Sequence, residues 1–380
     1  MNFKFGIEHE TAFQRPKGGF ADFSNTAFEE FDKILAGLPL YDSDYPQLRI
    51  GDAGIKHKRW YIEGFERFNE QGELAGCTPK GIEMRTTIHD TIDGAVAELD
   101  ESFNLLNREA NKFGFTPVLT SYTPFQPEFL PSPPLNNFEQ ARRMASPEKQ
   151  TAYIPMMTQG PDLNMSVEGL GVEQLIDFGK KLTYYSPYII PFTFSSPFAE
   201  GQLWKGLSIR NYIRTGVRPA ALVFVEHEND LIVSNPSLTK PARLAAEIGR
   251  IEFKACDSCG DFRLYASILA LMKGMLLDNM LHGRCLTPNV KFHQQSAIHG
   301  FDDPEILKGA KHVVDSARKA LVNDSDQCKL DLLFQMLEQK DCMAKRMKQQ
   351  FMMEQQILPI LKQAYEMPMQ TQSHSENCGS

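Results

Sequence analysis

"FGIEHET", residues 5–11, is the stretch from which the fold can be worked out. Side chains alternate between the two faces of a β-strand, so Ile7 and His9 point to one side while Glu8 and Glu10 point to the other. The stretch therefore predicts a strand with one apolar face and one face that carries two neighbouring carboxylates.

Five further segments show a similar alternation of apolar and polar residues. They span residues 55–68, 80–88, 162–170, 221–227 and 249–257. Helical patterns lie between several of them, at residues 91–113, 171–186 and 262–282. Because the order does not follow a strict strand–helix–strand rhythm, it predicts an α+β fold with a mainly antiparallel sheet of about six strands and flanking helices.

The polar residues of these strands fall at matching positions on one face. Alternation groups Glu83 with Arg85, Asn164 with Ser166, and Glu252 with Lys254. An antiparallel sheet with one solvated face would explain this pattern. The alternative is a site, because carboxylates about 4 Å apart repel by about 4 kcal/mol at an effective dielectric near ~20 and persist only with a cation or with raised pKa values.

A metal site is the interpretation that the recurring glutamates favour. The candidate ligands are Glu8, Glu10, Glu83 and Glu252. Ligand sets made only of oxygen atoms suit Mg²⁺ or Mn²⁺ rather than zinc, and such cations usually bridge phosphates. Nucleotide chemistry is therefore the leading hypothesis for this face.

The composition of the chain indicates which partners and which cellular compartment to expect. The chain has 380 residues, a formal charge of −8 and 42% hydrophobic residues, so no basic stripe is available for nucleic acid. The most apolar stretch, residues 262–281, contains Lys273 and Asp278 and predicts a buried helix rather than a membrane span. Seven scattered cysteines, and residues 1–20 without the pattern of a signal peptide, predict a cytoplasmic protein.

Two other motifs have competing explanations. "CDSC", residues 256–259, could be a redox pair or part of a metal site, but it stands alone, and incidental cysteines explain it better. Arg210, Arg214 and Arg218 are spaced by four residues, which is typical either of a solvated helix face or of anion-binding side chains at the edge of a site.

The chain is expected to form one catalytic domain over residues 1–366. Its proline-rich residues 123–137 predict an irregular loop, and residues 330–366 predict two helices that are broken at Pro359. Residues 367–380 are polar and predict a disordered tail.

Taken in order, several blocks resemble those of the bacterial and plant type of glutamate–cysteine ligase, a family of carboxylate–amine ligases. The blocks cover roughly residues 4–280 and read "FGIEHE", "KGIEMRTT", "NMSVEGL", "FTFSSPFAEG", "LSIRNYIRTG" and "RIEFKACDSCGDFR". The resemblance implies a glutamine-synthetase-like fold, with a curved antiparallel sheet that forms a funnel. It also implies ATP-dependent joining of the γ-carboxylate of glutamate to an amine, and the amine that the resemblance favours is cysteine.

The same resemblance implies roles for particular residues. Metal ligands would be Glu8, Glu10, Glu83 and Glu252, the four residues that alternation also selects. Arg210 and Lys254 would be catalytic and would hold the phosphates of ATP, and substrate would be bound by Arg85, Asn164, Ser166 and Arg210. The implied cofactors are ATP and Mg²⁺, with Mn²⁺ as an alternative, and the implied partners are glutamate and an amino acid or another amine.

Two departures from the family pattern concern the amine substrate. Asn164 and Ser166 stand where many relatives have His-x-His or Gln-x-Asn, and Lys254 stands where an arginine is usual. Three alternatives therefore remain: a ligase with another acid or acceptor, a guanidino kinase, and a non-catalytic binding protein that keeps the fold. The sequence does not indicate the oligomeric state.

Overall fold

A computed structural model describes residues 1–51, 54 and 58–367. Its strands are β1 (Phe3–Gln14), β2 (Phe20–Ala21), β3 (Trp60–Phe68), β4 (Leu74–Arg85), β5 (Thr116–Val118), β6 (Asp162–Val167), β7 (Phe198–Ala199), β8 (Gln202–Leu203), β9 (Ala221–Val225), β10 (Thr239–Pro241) and β11 (Ile251–Phe253).

Its α-helices are α1 (Phe28–Ala36), α2 (Ile92–Lys112), α3 (Asn137–Met144), α4 (Pro147–Gln150), α5 (Tyr153–Met157), α6 (Val172–Ile189), α7 (Ile209–Arg214), α8 (Arg263–Leu277), α9 (Val290–His299), α10 (Pro304–Ala320), α11 (Asp331–Gln339), α12 (Met343–Glu354) and α13 (Ile357–Gln363).

The fold is a mixed α+β arrangement around a curled, half-barrel sheet. The main sheet runs β10-β9-β11-β6-β1-β4-β3, and the short strands β2 and β5 also pair with β1. Every pair is antiparallel except β9 with β10, so the predicted mainly antiparallel sheet is confirmed.

All six predicted strand segments contribute to this sheet, although residues 55–57 of the segment 55–68 lie outside the described residues. The described part of the chain adds β2, β5 and β10, which brings the sheet to nine strands rather than about six. Each of the added strands has only two or three residues, too few to show an alternating pattern.

Strand β1 shows the predicted alternation along its first eight residues. Phe3, Phe5, Ile7 and His9 are buried, whereas the residues between them are only partly buried. The largest cluster of buried apolar side chains joins this face of the sheet to helices such as α2, α6, α8 and α10. The helices thus cover the apolar face and leave Glu8 and Glu10 on the other.

His9 lies within this core because its two ring nitrogens are both satisfied there. Nδ1 is hydrogen-bonded to the hydroxyl of Tyr265 at 2.8 Å and Nε2 to the hydroxyl of Tyr365 at 3.0 Å. Burial lowers the pKa of the imidazole to about 3, so the ring is neutral at physiological pH.

The helices predicted at residues 91–113, 171–186 and 262–282 are confirmed as α2, α6 and α8. Helix α8 is buried along most of its length, and its Lys273 is paired with Asp324 and Asp326. Among the described residues, no helix combines the length and the apolar character needed to cross a membrane.

The prediction for residues 330–366 is wrong about the position of the break. The segment forms three helices, α11, α12 and α13, rather than two, and Pro359 lies in the first turn of α13. A proline is tolerated there because the first N–H groups of a helix have no partner within it. The helices end instead at Lys340 and Gln355, both in the left-handed conformation.

The irregular loop predicted for residues 123–137 is confirmed, with α3 beginning at Asn137. Of the tail predicted for residues 367–380, all but Met367 lies outside the described residues. The assignment of residues 1–366 to one catalytic domain stays a prediction.

Candidate functional site

The polar face of the sheet brings six carboxylates together in two groups of three. We call Glu10, Glu63 and Glu83 the outer group, and Glu8, Asp162 and Glu252 the inner group. Within each group, one carboxylate oxygen from every residue lies within 4.8 Å of the others. The four glutamates predicted as metal ligands divide equally between the two groups.

Strand pairing explains this arrangement. Glu10 of β1 is directly opposite Glu83 of β4, and Glu8 is directly opposite Asp162 of β6. Residues opposite each other in an antiparallel pair have side chains on the same face. Because Glu8 and Glu10 are two residues apart on the central strand, each one anchors a separate group.

A lysine contributes positive charge to the outer group. Lys80 lies 2.9 Å from Glu10 and 4.0 Å from Glu63. Glu83 is 5% exposed, and burial, followed by the charges of Glu63, Glu8 and Glu10, raises the pKa of its carboxyl well above the usual range. The group is therefore electrostatically suited to an additional cation.

The inner group already holds two cations of the protein. Lys254 is ion-paired with Asp162 and Glu252, and Arg250 lies 3.2 Å from Glu8 and 3.1 Å from Glu252. Burial acts to raise the pKa of Glu252, but Lys254 and Arg250 outweigh it and lower that pKa to about 2. Burial raises the pKa of Asp162 to about 6 in spite of Lys254.

A cleft beside the inner group contains the three other predicted substrate-binding residues, Arg85, Asn164 and Ser166. The cleft is lined by four cationic side chains, Lys4, Arg49, Arg85 and Arg250, and by two carboxylates, Glu8 and Glu247. It is therefore positively charged and next to a carboxylate group, a combination that suits an anion held together with a metal ion.

Asn164 and Arg85 are fixed in this cleft by the surrounding chain. Asn164 donates from Nδ2 to Glu8 at 3.3 Å, and the described part of the chain offers no hydrogen-bond partner to its buried Oδ1. The guanidinium of Arg85 lies 4.8 Å from the centre of the Tyr61 ring and donates to the carbonyl of Lys58. The unpartnered amide oxygen is a free acceptor that a metal ion or a substrate could use.

Arg210 is buried at the end of strand β11, at 3% exposure. Its terminal nitrogens donate to the carbonyls of Ala255 and Lys254 at 3.0 and 2.9 Å. Its guanidinium also packs against Gly160, whose N–H donates to Glu10 at 3.0 Å. Arg210 thus links the end of β11 to the outer group, and its role in binding anions stays a prediction.

The interpretation of the arginine stripe as a solvated helix face is wrong. Arg210 and Arg214 are buried and Arg218 is half-buried, because α7 packs against α9 and the end of the sheet. Burial, and after it the charges of Arg210 and Arg218, lowers the pKa of Arg214 well below its usual range.

The CDSC motif is part of the framework under the site. Asp257 is fully buried and accepts hydrogen bonds from Ser195, Ser196, Ser208 and Asn211. Burial raises the pKa of the Cys256 thiol to about 12 and that of Cys259 well above its usual range, so neither thiol is a reactive thiolate. This agrees with the preferred interpretation of the cysteines as incidental.

Asp162, Glu63, Arg250 and Lys80 were not predicted as site residues. The alternation itself contained the signal for three of them, because Asp162 is two residues before Asn164, Arg250 is two before Glu252, and Glu63 is two after Tyr61. Lys80 had no comparable signal, because alternation from Glu83 puts it on the other face. The pairing of β4 with β3 is irregular at this point and skips Lys80.

Comparison of the fold with solved structures gives several ligases. The glutamate–cysteine ligase of Francisella tularensis, in complex with AMP, matches with a TM-score of 0.56 and 11% identity over 100% of this chain and 90% of that chain. A bifunctional glutathione synthetase from Pasteurella multocida matches with a TM-score of 0.56 and 12% identity over 96% of this chain and 52% of that chain, so this chain spans about half its length.

The ligase PafA, in complex with the prokaryotic ubiquitin-like protein Pup, matches with a TM-score of 0.51 and 11% identity over 96% of this chain and 72% of that chain. No family model and no curated protein matches the sequence. At these identities the likeness concerns the fold, and the chain therefore shares the fold of glutamate–cysteine ligase and of PafA.

Proposed function

We propose that this chain is an ATP- and Mg²⁺-dependent ligase that joins the γ-carboxylate of L-glutamate to an amine. The observation that carries the proposal is the pair of three-carboxylate groups beside a cation-lined cleft, on one face of the sheet. The fold shared with glutamate–cysteine ligase supports it. Cysteine is the acceptor that the sequence resemblance favours, and the product would then be γ-glutamylcysteine.

The donor chemistry of both groups fits a hard divalent cation. All candidate ligand atoms are carboxylate oxygens, within 4.8 Å of one another in each group, and the orphaned Oδ1 of Asn164 adds an oxygen near the inner group. Mg²⁺ or Mn²⁺, when bound, would supply positive charge against the phosphates of ATP.

The chain itself would mainly position the reactants. Arg85 and Arg250 would orient an anionic group of the substrate in the cleft, and Lys254 would compensate phosphate charge beside the inner group. Arg210 would act as a positioning residue, because it donates a hydrogen bond to the carbonyl of Lys254 and so holds the backbone of that residue in place.

The reaction that this arrangement serves has two steps. The γ-carboxylate of glutamate attacks the γ-phosphorus of ATP, which yields ADP and an acyl phosphate, and the amine then displaces phosphate from the acyl carbon. Neither step requires a nucleophile from the protein, so the buried thiols of Cys256 and Cys259 have no part in it.

The test is incubation of the full chain with ATP, Mg²⁺, glutamate and pooled amino acids, with ADP measured enzymatically and products by mass. We expect ADP release that requires glutamate and an amine, together with a γ-glutamyl product, and no release by a Glu10→Gln variant. ADP release with creatine or arginine in place of glutamate would identify a kinase. No release in any mixture would contradict the proposal and favour a binding protein.

A further inference from the structure

An apolar cleft lies under the proline-rich residues 123–137. Its volume is about 710 Å³, within the range of roughly 300–1,000 Å³ that is usual for small-molecule sites. Among the side chains that line it are Phe65, Tyr122, Phe129, Leu130, Tyr153 and Met157. Leu130 and Tyr153 are more than half exposed, so the cleft opens to solvent.

Arg143 is the cation of this cleft that is best placed for a ligand. Its guanidinium lies 3.9 Å from the centre of the Phe65 ring, and its buried Nε has no hydrogen-bond partner among the described residues. Within the part of the chain that the structure describes, no carboxylate lies within ion-pairing distance of it. Burial, and after it the charge of Arg142, lowers the pKa of Arg143.

The neighbouring Arg142, on the same helix, has both an aromatic ring and a carboxylate as partners. It stacks 4.3 Å from the centre of the Phe68 ring and is also paired with Glu66 at 3.4 Å. Arg143 has the ring without the carboxylate, so it retains N–H donors for a ligand.

Helix α3 holds Arg143 in place. Asn136 caps the helix by accepting from the N–H of Glu139, and the buried Glu139 accepts hydrogen bonds from Arg67 and from the N–H of Phe68. The helix is thereby fixed to the end of β3. The position of the guanidinium is thus set by the fold.

The apolar cleft is close to the outer carboxylate group. Phe65 is two residues along β3 from Glu63. Met157 ends α5, and the carbonyls of Pro155 and Thr158 on either side of it accept hydrogen bonds from Lys80, which is paired with Glu10. Segments that line the cleft therefore continue to Glu63 and to the carbonyl groups that bind Lys80.

We propose that this cleft binds an amphipathic carboxylate, with an aromatic or bulky apolar body among the aromatic side chains and its carboxylate on Arg143. Lys149 and Glu128 also line the cleft, so its charged side chains have a net positive charge that favours an anion.

Direct binding tests the cleft without any turnover. Calorimetric titration of the full chain would compare 4-phenylbutyrate with 4-phenylbutanamide, which has the same shape without the charge. We expect the wild type to bind the carboxylate about 10- to 100-fold more tightly than the amide, because a charge-assisted pair is lost with the amide. Arg143→Met should abolish this preference and retain binding of the amide.

The matched control is Arg142→Met, which should keep the preference for the carboxylate. Melting curves of both variants establish that they are folded, and methionine keeps an apolar stem over the ring in each case. Equal affinity of the wild type for the two compounds, or an unchanged preference in Arg143→Met, would overturn the proposal.

A parallel measurement separates this inference from the proposed function. ADP release would be followed with glutamate and either phenylalanine or cysteine as the amine. Binding of phenylbutyrate through Arg143 without ADP release from any amine would contradict the ligase function and support the binding site. ADP release with cysteine, in a protein that does not bind phenylbutyrate, would support the ligase function and contradict the binding site.

Discussion

Glu83 is the single residue whose charge is most strongly disfavoured on the polar face of the sheet. Its carboxyl is buried and faces the charges of Glu63, Glu8 and Glu10, so its ionised form is disfavoured. A buried carboxylate in such surroundings needs a proton or a cation. A metal ion would supply the cation, and Glu83 is therefore the residue at which the metal hypothesis is most open to test.

The substitution Glu83→Gln should weaken metal binding without loosening the fold. The amide removes one negative charge from the outer group, so we expect the metal-free variant to be at least as stable as the wild type at pH 8. If the affinity for Mg²⁺ falls tenfold, the stabilisation at a saturating concentration falls by about 1.4 kcal/mol. Thermal unfolding with and without Mg²⁺ measures both, and Glu226→Gln, an exposed site, is the control. Equal stabilisation by Mg²⁺ in all three proteins would refute the assignment.

Arg210 allows a second prediction at this scale, because its role depends on the fork of its guanidinium. A lysine keeps the charge but cannot donate to the carbonyls of Lys254 and Ala255 together. A hydrogen bond to a charged group contributes about 1.5–3 kcal/mol, so Arg210→Lys should lower the free energy of unfolding by about this amount. We also expect kcat/KM to fall, because the backbone of Lys254 loses the hydrogen bond that holds it. The measurement is steady-state ADP release, and the control is Arg263→Lys, whose side chain is more than half exposed and pairs with Asp261. Similar kinetics in both variants would exclude a positioning role for Arg210.

At the scale of elements, strand β1 was the most predictable part of the molecule. Its alternation is strict, since one face is covered by helices, and a shift of register by one residue would exchange the two faces. The same reasoning predicted the orientation of Glu83, Asn164 and Glu252 correctly. The C-terminal helices were less predictable, because their ends depend on left-handed residues at Lys340 and Gln355, which no sequence pattern marked.

Helix α3 gives a prediction about pH. Glu139, on this helix, accepts a hydrogen bond from Arg67, and this bond is the main reason that the pKa of its carboxyl falls to about 2, from an ordinary value of 4.5. A carboxyl with a lowered pKa stabilises the fold above its unfolded pKa and loses this contribution as the pH falls towards the folded value. Glu139→Gln should therefore lower the free energy of unfolding by up to about 3 kcal/mol at pH 7.

The difference between wild type and Glu139→Gln should then narrow as the pH falls from about 4.5 towards 2. Urea unfolding at pH 7, 5, 4 and 3 measures it, and Glu338→Gln, exposed on α11, is the control. A difference that is constant across this range would show that the carboxylate charge contributes nothing.

At the scale of the whole molecule, the site is a balance of charges that the sequence could show only in part. Alternation assigned Glu8, Glu10, Glu83 and Glu252 to one face, but it could not show which of them share a group. That division depends on the pairing of β1 with β4 and β6, strands that are distant in sequence. Lys80 could not be predicted, because the irregular pairing of β3 with β4 skips this residue and breaks the alternation.

The charge balance of the inner group leads to a prediction for Lys254→Met. Among the described residues, its three carboxylates would then face the guanidinium of Arg250 and no lysine. We expect the metal-free variant to unfold at a lower temperature and to be stabilised by Mg²⁺ more than the wild type, since two like charges about 4 Å apart repel by about 4 kcal/mol. Melting at constant ionic strength across Mg²⁺ concentrations measures this. Lys4→Met, which leaves the inner group intact, is the control, and a smaller Mg²⁺ effect in Lys254→Met than in the wild type would contradict the prediction.

Through the hydrogen bond between His9 and Tyr365, the chain just after α13 covers the apolar face of the strand that carries Glu8 and Glu10. Proteolysis before Tyr365 would open the core to water beneath His9 and would let the pKa of its imidazole rise from about 3 towards its ordinary value. A cationic ring would then form in the core on mild acidification, at the residue between Glu8 and Glu10. If these carboxylates hold a metal ion as proposed, we expect the cleaved protein to keep its affinity for Mg²⁺ at pH 8 and to lose it near pH 6. Cleavage far from the site would then show first as sensitivity to acid.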